Sequence, residues 1–317
     1  MSTICTNAPA AERRGIHPGE GSAIDELLYI AVRGIGAGAL FGLIGMSFNI
    51  VHNSSTVLNF AQGSMLVLGG VGAVLLAPNA AGMPLWLWFV YFIATALALG
   101  ALIALQGYIT LLPLGFSGDS HSWLITTMAV SVIIGAAMLL MLGPYSATVS
   151  SPVRGALLFG MFIPASYFFA ITLLILWYIA LRWFLGSTLP GLAISALSQD
   201  FDAARAAGLK VRRLQVLAFG ISGLIVGSAG FAAAPVITIA PEAGLKYVVY
   251  GFIASVIGGI GNNTGALVGG PIVGLISAFA TFKLGGEFES LVLVLVLVAM
   301  LLIRPKGIFG ATSARRV

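Results

Sequence analysis

The chain has 317 residues, 59% of them hydrophobic and only 8% charged, with a formal net charge of +5. A soluble domain carries about 25% charged residues, so this composition excludes a single water-soluble globule. The basic excess does not call for a nucleic acid, because membrane proteins gather Lys and Arg in cytoplasmic loops.

In lipid every backbone N–H and C=O must be bonded internally, which leaves helices or a closed barrel. Long apolar runs such as Leu291 to Ile303 favour helices over the short alternating segments of a barrel. The 41 glycines suit helices that pack closely in a membrane. The fold class is therefore all-α: a polytopic bundle of eight or nine spans with Gly-rich broken helices. The lone Cys5 and three His exclude an internal disulfide and a Cys-rich metal site.

Residues 1–24 form a polar tail with mixed charges, Glu12, Arg13, Arg14 and Glu20 among them. It lacks the apolar h-region of a signal peptide. Apolar stretches follow at about 27–50, 62–77, 85–107, 123–142, 166–185, 214–234, 245–260, 264–282 and 288–303, each near the length that crosses a bilayer. No Asp, Glu, Lys or Arg lies between Arg33 and Asp119. The first three stretches thus hold no ion-pair relay.

Nine of the fifteen basic residues fall in two places. Arg182, Arg205, Lys210, Arg212 and Arg213 surround the loop at 186–214. Arg304, Lys306, Arg315 and Arg316 sit at the C-terminus. Both regions are expected on the cytoplasmic side. Counting crossings back puts 143–165 outside and leans to an external N-terminus, unless the Asn53–Gln62 region is re-entrant.

Three features stand out from the apolar background. The segment Asn53 to Gly63 puts Asn59, Phe60, Gln62 and Gly63 between two apolar runs. Polar backbone breaks at membrane depth must be buried in protein or line a cavity, although a solvated loop with Asn53 or Ser55 capping the second helix fits the spacing too. The segment Val256 to Gly265 is a second Gly-rich break, with Gly258, Gly259, Gly261 and Asn262. Interrupted segments in both halves of a transporter point to its central site, and a tight helix–helix turn is the alternative. It is no phosphate loop, since no Lys-Ser/Thr follows. In the loop at 186–214, Ala196, Asp200, Ala204 and Gly208 are four residues apart. On one helix they share a face, with Gly208 as its C-terminal stop. Such a small-faced helix suits docking into a groove on another protein, against the alternative of lying on lipid.

These features in this order resemble the permeases of branched-chain amino acid ABC importers. The resemblance rests on Asn59-Phe-Ala-Gln-Gly63, on Ala196, Asp200, Ala204, Gly208 and Leu209, on Gly258 to Ala266, and on Arg304 to Ile308. It covers about residues 27–310 and is closest to the first of the two permease types. Gln62 stands where many members carry His; it keeps the hydrogen bonding but cannot titrate near neutral pH.

The resemblance implies a multi-pass protein of the bacterial inner membrane. It implies a transmembrane domain over 25–310 with a coupling loop at 186–214, and a cytoplasmic tail at 311–317. Its partners would be a second permease subunit, two ATP-binding subunits, an extracytoplasmic solute-binding protein and membrane lipid. It implies that Asn59, Phe60, Gln62, Gly63, Gly258, Gly259, Gly261 and Asn262 line or gate the path, and that Ala196, Asp200, Ala204, Gly208 and Leu209 couple to an ATPase. The chain itself is expected to need no cofactor and to catalyse nothing, Mg-ATP being held by the partner subunits. The rival reading is a secondary transporter or channel for a small neutral solute. Such proteins usually couple ions through intramembrane charges. Here Arg33, Glu242, Lys246 and Lys283 sit near span ends, where they can snorkel.

Overall fold

The computed structural model describes residues 23–111, 122–158 and 161–310. The expected N-terminal tail up to residue 22, and the tail at 311–317, lie outside the described residues.

Helices dominate, in the order α1 (Ala23–Ser55), α2 (Gln62–Leu76), α3 (Leu85–Leu111), α4 (Ser122–Leu142), α5 (Ala165–Ser187), α6 (Leu189–Gln199), α7 (Phe201–Ala206), α8 (Val211–Ala233), α9 (Ala243–Gly258), α10 (Asn263–Lys283) and α11 (Glu289–Ile303). Each apolar stretch read from the sequence falls on one of these helices. Six of them, α1, α3, α4, α5, α8 and α10, are long and apolar enough to cross a membrane. The other three, α2, α9 and α11, have 15, 16 and 15 residues. At about 1.5 Å per residue each is shorter than a hydrocarbon core of about 30 Å. One small antiparallel pair interrupts the helical pattern, β1 (Ala156–Leu158) with β2 (Met161–Ile163).

Contacts between helix ends define two ends of the bundle. At one, Glu26 of α1 pairs with Lys283 of α10 at 2.7 Å, and Lys246 of α9 with Glu289 of α11 at 2.8 Å. At the other, Asn53 near the end of α1 bonds Gly261 in the α9–α10 turn. Tyr178 of α5 meets Thr264 of α10 there, and Ile308 in the tail donates to Ile257. The α6–α7 segment follows α5 at this same end. The described residues of the two basic regions, expected on one side of the membrane, therefore do share one end.

Glycine stripes set the helix spacing. Gly34, Gly38 and Gly42 of α1 face Gly270 and Gly274 of α10, and a Cβ on Gly38 would stand 2.5 Å from the Gly270 carbonyl oxygen. Gly100 and Gly107 of α3 meet α8 in the same way. Small residues let backbones approach where lipid offers no hydrophobic drive between helices. Helix α8 is the most enclosed of the long helices, whereas α4 and α5 expose most of their surface.

The segment at 186–214 corrects the single helix expected there. The chain breaks at Asp200, which is extended (φ −153°, ψ 104°) and caps α7 by accepting the Ala203 N–H at 2.9 Å. Asp favours N-caps because its short carboxylate competes with helical backbone bonding. The four-residue spacing therefore does not become one face: Ala204 is buried, whereas Ala196, Asp200 and Gly208 are exposed.

Replacing Gly38 with Leu should cost about 1–3 kcal/mol by overpacking. Gly82→Ala, at an exposed site with open space around the added carbon, should be neutral. Thermal unfolding of the two purified variants reads the difference; equal transition temperatures would show that the α1–α10 contact is not close.

Candidate functional site

The two Gly-rich features lie on opposite sides of α1. Ser47 and Asn49 are two residues apart, about 200° around a helix with 3.6 residues per turn, and each serves one feature. Ser47 hydrogen-bonds the Gln62 side chain, and the Gln62 amide donates to the Ser47 carbonyl at 3.2 Å. Asn49 donates to the Asn262 carbonyl at 2.9 Å and accepts from the Gly261 N–H at 2.8 Å and the Ser255 hydroxyl at 2.7 Å.

Around the first feature, α1 runs through Ser55, so neither Asn53 nor Ser55 caps α2. Asn59 pairs with Gln106 of α3 through both amide groups, at 3.2 and 3.0 Å, and accepts the Ala61 N–H at 3.1 Å. Asn59 and Gln62 are fully buried. The solvated-loop reading thereby fails at the polar centre of the break: the Asn59 and Gln62 amides are buried and spent on internal partners, while Thr56 at its start is exposed. Phe60 is half-buried and stacks on Trp123 of α4 at 6.4 Å between centroids. Gly63 lies against the backbone of Gly244 and Val248 on α9, too close for a side chain.

The second feature is the tight α9–α10 turn, the alternative weighed for this segment. Gly259 and Gly261 take φ values of +102° and +86°, a region that costs other residues about 1–2 kcal/mol. Asn262 caps α10, accepting from Thr264 at 2.9 Å and Gly265 at 3.3 Å. The C-terminal residues lie across this turn as a strap: Ile308 donates to Ile257 at 2.8 Å, Phe309 to Gly258 at 3.1 Å, and Asn262 donates to the Phe309 carbonyl at 3.0 Å.

At the same end, Thr188 caps α6 by accepting the Gly191 N–H at 3.1 Å. Helix α7 stops in a Schellman turn: Leu209 donates to Ala204 at 3.3 Å and Gly208 to Arg205 at 3.0 Å, with Gly208 at φ +85°. That is the pattern in which a left-handed glycine ends a helix, and it matches the stop expected at Gly208. Leu197, Ala204 and Val211 form a small separate core beneath, with Phe201, Leu209 and Leu214 packed on it. Leu209 thus serves this core.

A chain with these elements in this order has known relatives. The family model for the permease component of branched-chain amino acid transport systems matches residues 30–301. The chain belongs to that family. It is 29% identical over 288 residues to a probable branched-chain amino acid transport permease LivH of Methanocaldococcus jannaschii, covering 86% of this chain and 89% of that protein. To the high-affinity branched-chain amino acid permease BraD of Pseudomonas aeruginosa it is 25% identical, over 90% of this chain and 96% of that one. It is also 28% identical to the fructose import permease FruF of Bifidobacterium longum, over 74% of this chain and 70% of that one. Among solved structures, PsaBC from Streptococcus pneumoniae in complex with Fab aligns with 89% of this chain and 97% of that chain, at 14% identity and a TM-score of 0.44.

Four permease residues that the sequence reading passed over organise the two features: Ser47, Asn49, Gln106 and Ser255. A signal existed for three of them. Ser47 and Asn49 interrupt an otherwise apolar stretch, and Gln106 is the one amide side chain in α3. The motif at Arg304 to Ile308 was noted only as a likeness, and its place across the α9–α10 turn needed the fold.

Removing one member of the Asn59–Gln106 pair leaves a buried amide unpaired, at about 1–3 kcal/mol. Asn59→Leu and Gln106→Leu should each destabilise by that order, and the double variant by clearly less than their sum. Denaturation of all four proteins in detergent completes the cycle. Strict additivity would mean that the two amides do not meet.

Proposed function

We propose that the chain is the membrane-spanning permease subunit of an ATP-driven, binding-protein-dependent importer of branched-chain amino acids or related small organic solutes. The observation that carries this reading is the α6–α7 segment, a capped surface element beside the C-terminal strap. It presents Ala196, Asp200, Ala203, Ala206 and Gly208, all exposed. Small side chains let a partner's groove approach the backbone, and the caps hold its shape before docking. Family membership supports the same reading.

In this proposal an ATP-binding subunit receives α6 and α7 as a coupling element and holds Mg-ATP, so this chain transmits hydrolysis without performing it. A second permease subunit completes the channel, two ATP-binding subunits drive it, and an extracytoplasmic binding protein selects the solute. The chain crosses the cytoplasmic membrane of a bacterium nine times, with the short helices α2, α9 and α11 counted as spans. The end carrying α6 and α7 is cytoplasmic and the N-terminus external. The path runs beside the two breaks, with Phe60, Gly63, Gly258, Gly259 and Gly261 shaping it and Asn59, Gln62 and Asn262 holding its walls.

The rival reading, a secondary transporter, usually uses charge at depth to couple an ion. Among the described residues every buried polar side chain is uncharged. The Lys246–Glu289 pair lies at helix ends.

Two substitutions test the coupling element without breaking it. Ala196→Trp adds bulk to an exposed helical position. Asp200→Ser keeps a capping oxygen and removes the charge. In the assembled, reconstituted importer, Ala196→Trp should lower solute-stimulated ATPase and uptake by about tenfold, the equivalent of about 1.4 kcal/mol of lost docking. Asp200→Ser should lower them less. Normal stimulation and uptake in the Trp variant would remove α6 from the interface.

A further inference from the structure

At the end that carries α6 and α7, a cleft of about 590 Å³ opens between the last turns of α3 and the first turns of α8. Its lining joins four cations, Arg205, Lys210, Arg212 and Arg213, to Tyr108 and the apolar side chains of Leu209, Val211 and Val216. The Arg212 guanidinium lies 4.4 Å from the centre of the Tyr108 ring, which holds a cation by its quadrupole. Lys210, Arg212 and Arg213 form no salt bridge among the described residues. Asp200 and Asp202 on the adjoining segment are not part of the lining. The first turn of α8 has no acidic residue and no side-chain cap, so its positive dipole end adds to the field.

We propose that this cleft binds the phosphate of an anionic lipid headgroup from the adjacent leaflet. The occupant follows from where the cleft opens. Tyr108 belongs to the outward face of α3, with Leu105 and Ile109, each about half exposed on the bundle surface. In a protein of this composition that face meets lipid. The cations stand where that face ends, at the depth of headgroups, and the apolar lining lies beside acyl chains. Basic pockets between membrane helices bind anionic headgroups by this combination of charge and apolar wall. An ATPase groove engages the small exposed residues of α6 and α7; apart from Arg205 of α7 the cleft is lined by residues outside those two helices, and its large cations and aromatic ring stand beside lipid-facing helix surface.

The test uses the full-length chain in detergent, titrated with phosphatidylglycerol and with phosphatidylcholine of the same acyl chains and read by native mass spectrometry. Phosphatidylglycerol should bind at least about tenfold tighter, because several basic residues near an anionic headgroup each add to its attraction. Lys210→Gln with Arg212→Gln and Arg213→Gln should bring the ratio below about two, because three of the four lining charges are gone. Arg182→Gln, which removes a cation elsewhere at this end, should leave it unchanged. In the unmutated chain, phosphatidylglycerol but not phosphatidylcholine should protect Arg212 and Arg213 from phenylglyoxal, a readout that does not depend on the triple variant folding. Equal binding of the two lipids, or an unchanged ratio in the triple variant, overturns the proposal. So does equal protection by inorganic phosphate alone, which marks a soluble-anion site. An unchanged lipid ratio with loss of co-purifying ATP-binding subunits also overturns it and gives the cleft to a protein partner.

Discussion

Asn49 receives two hydrogen bonds on one oxygen, from the Gly261 N–H and the Ser255 hydroxyl, and gives one to the Asn262 carbonyl. Much else in the bundle depends on this kind of exchange. Wherever a helix stops, it exposes backbone donors and acceptors, and lipid supplies nothing to meet them. Helix α1 carries the answer for both breaks. Ser47 and Asn49 face opposite ways, so one helix supports the start of α2 on one side and the α9–α10 turn on the other. Asn59 and Gln106 repeat the device one layer out. All these groups are neutral. A charge in the same place would need a partner and would add several kcal/mol of desolvation cost.

Such short bonds require helices that come close. The glycine stripes of α1 and α10 bring those backbones together over about two turns, and Gly258 meets Gly265 across the α9–α10 turn. Close approach in turn fixes the height of Asn49 and Asn53 against Gly261. Packing and polar satisfaction are thus one constraint. Moving α1 by a fraction of its present spacing would strand the amides, and stranding the amides would remove the reason for α1 to stay.

The parts of this arrangement that repeat with a period were legible in the sequence. Each apolar stretch became a helix, because nothing but a helix satisfies a long backbone run in lipid. Gly208 stopped α7, because a left-handed turn there suits glycine alone. Basic residues found one end. What stayed hidden were relations between distant residues. Asn59 read as a pathway residue through the family resemblance and because a polar break at membrane depth is either buried in protein or lines a cavity; that its partner is Gln106, 47 residues away, is a matter of tertiary register. The failure at Asp200 was local. A four-residue spacing fits one helix, but the same Asp offers an N-cap, and the cap won. The C-terminal strap was invisible for a third reason: it bonds through its backbone, twice to backbone and once to the Asn262 side chain, and the side chains of Ile308 and Phe309 do not announce this.

The position of α6 gives the proposed importer a mechanical consequence. Helix α6 packs on α1 and α5, with Ile194 fully buried beneath it. A partner that tilts α6 therefore presses first on the helix that holds both breaks. The α9–α10 turn cannot follow freely, because the strap at 308–309 ties it to the end of α11 and Asn53 ties it to α1. The Asn59 side has no strap; it is held by side-chain amides and by the stacking of Phe60 on Trp123. Side-chain bonds can exchange partners at a cost near the net worth of a hydrogen bond, about 1 kcal/mol. Displacing the strap breaks two backbone bonds and the Asn262 side-chain bond at once. The two features, similar as sequences, are therefore held differently: side-chain amides and a ring stack hold the first, and backbone bonds to the strap are added to the side-chain bonds at the second.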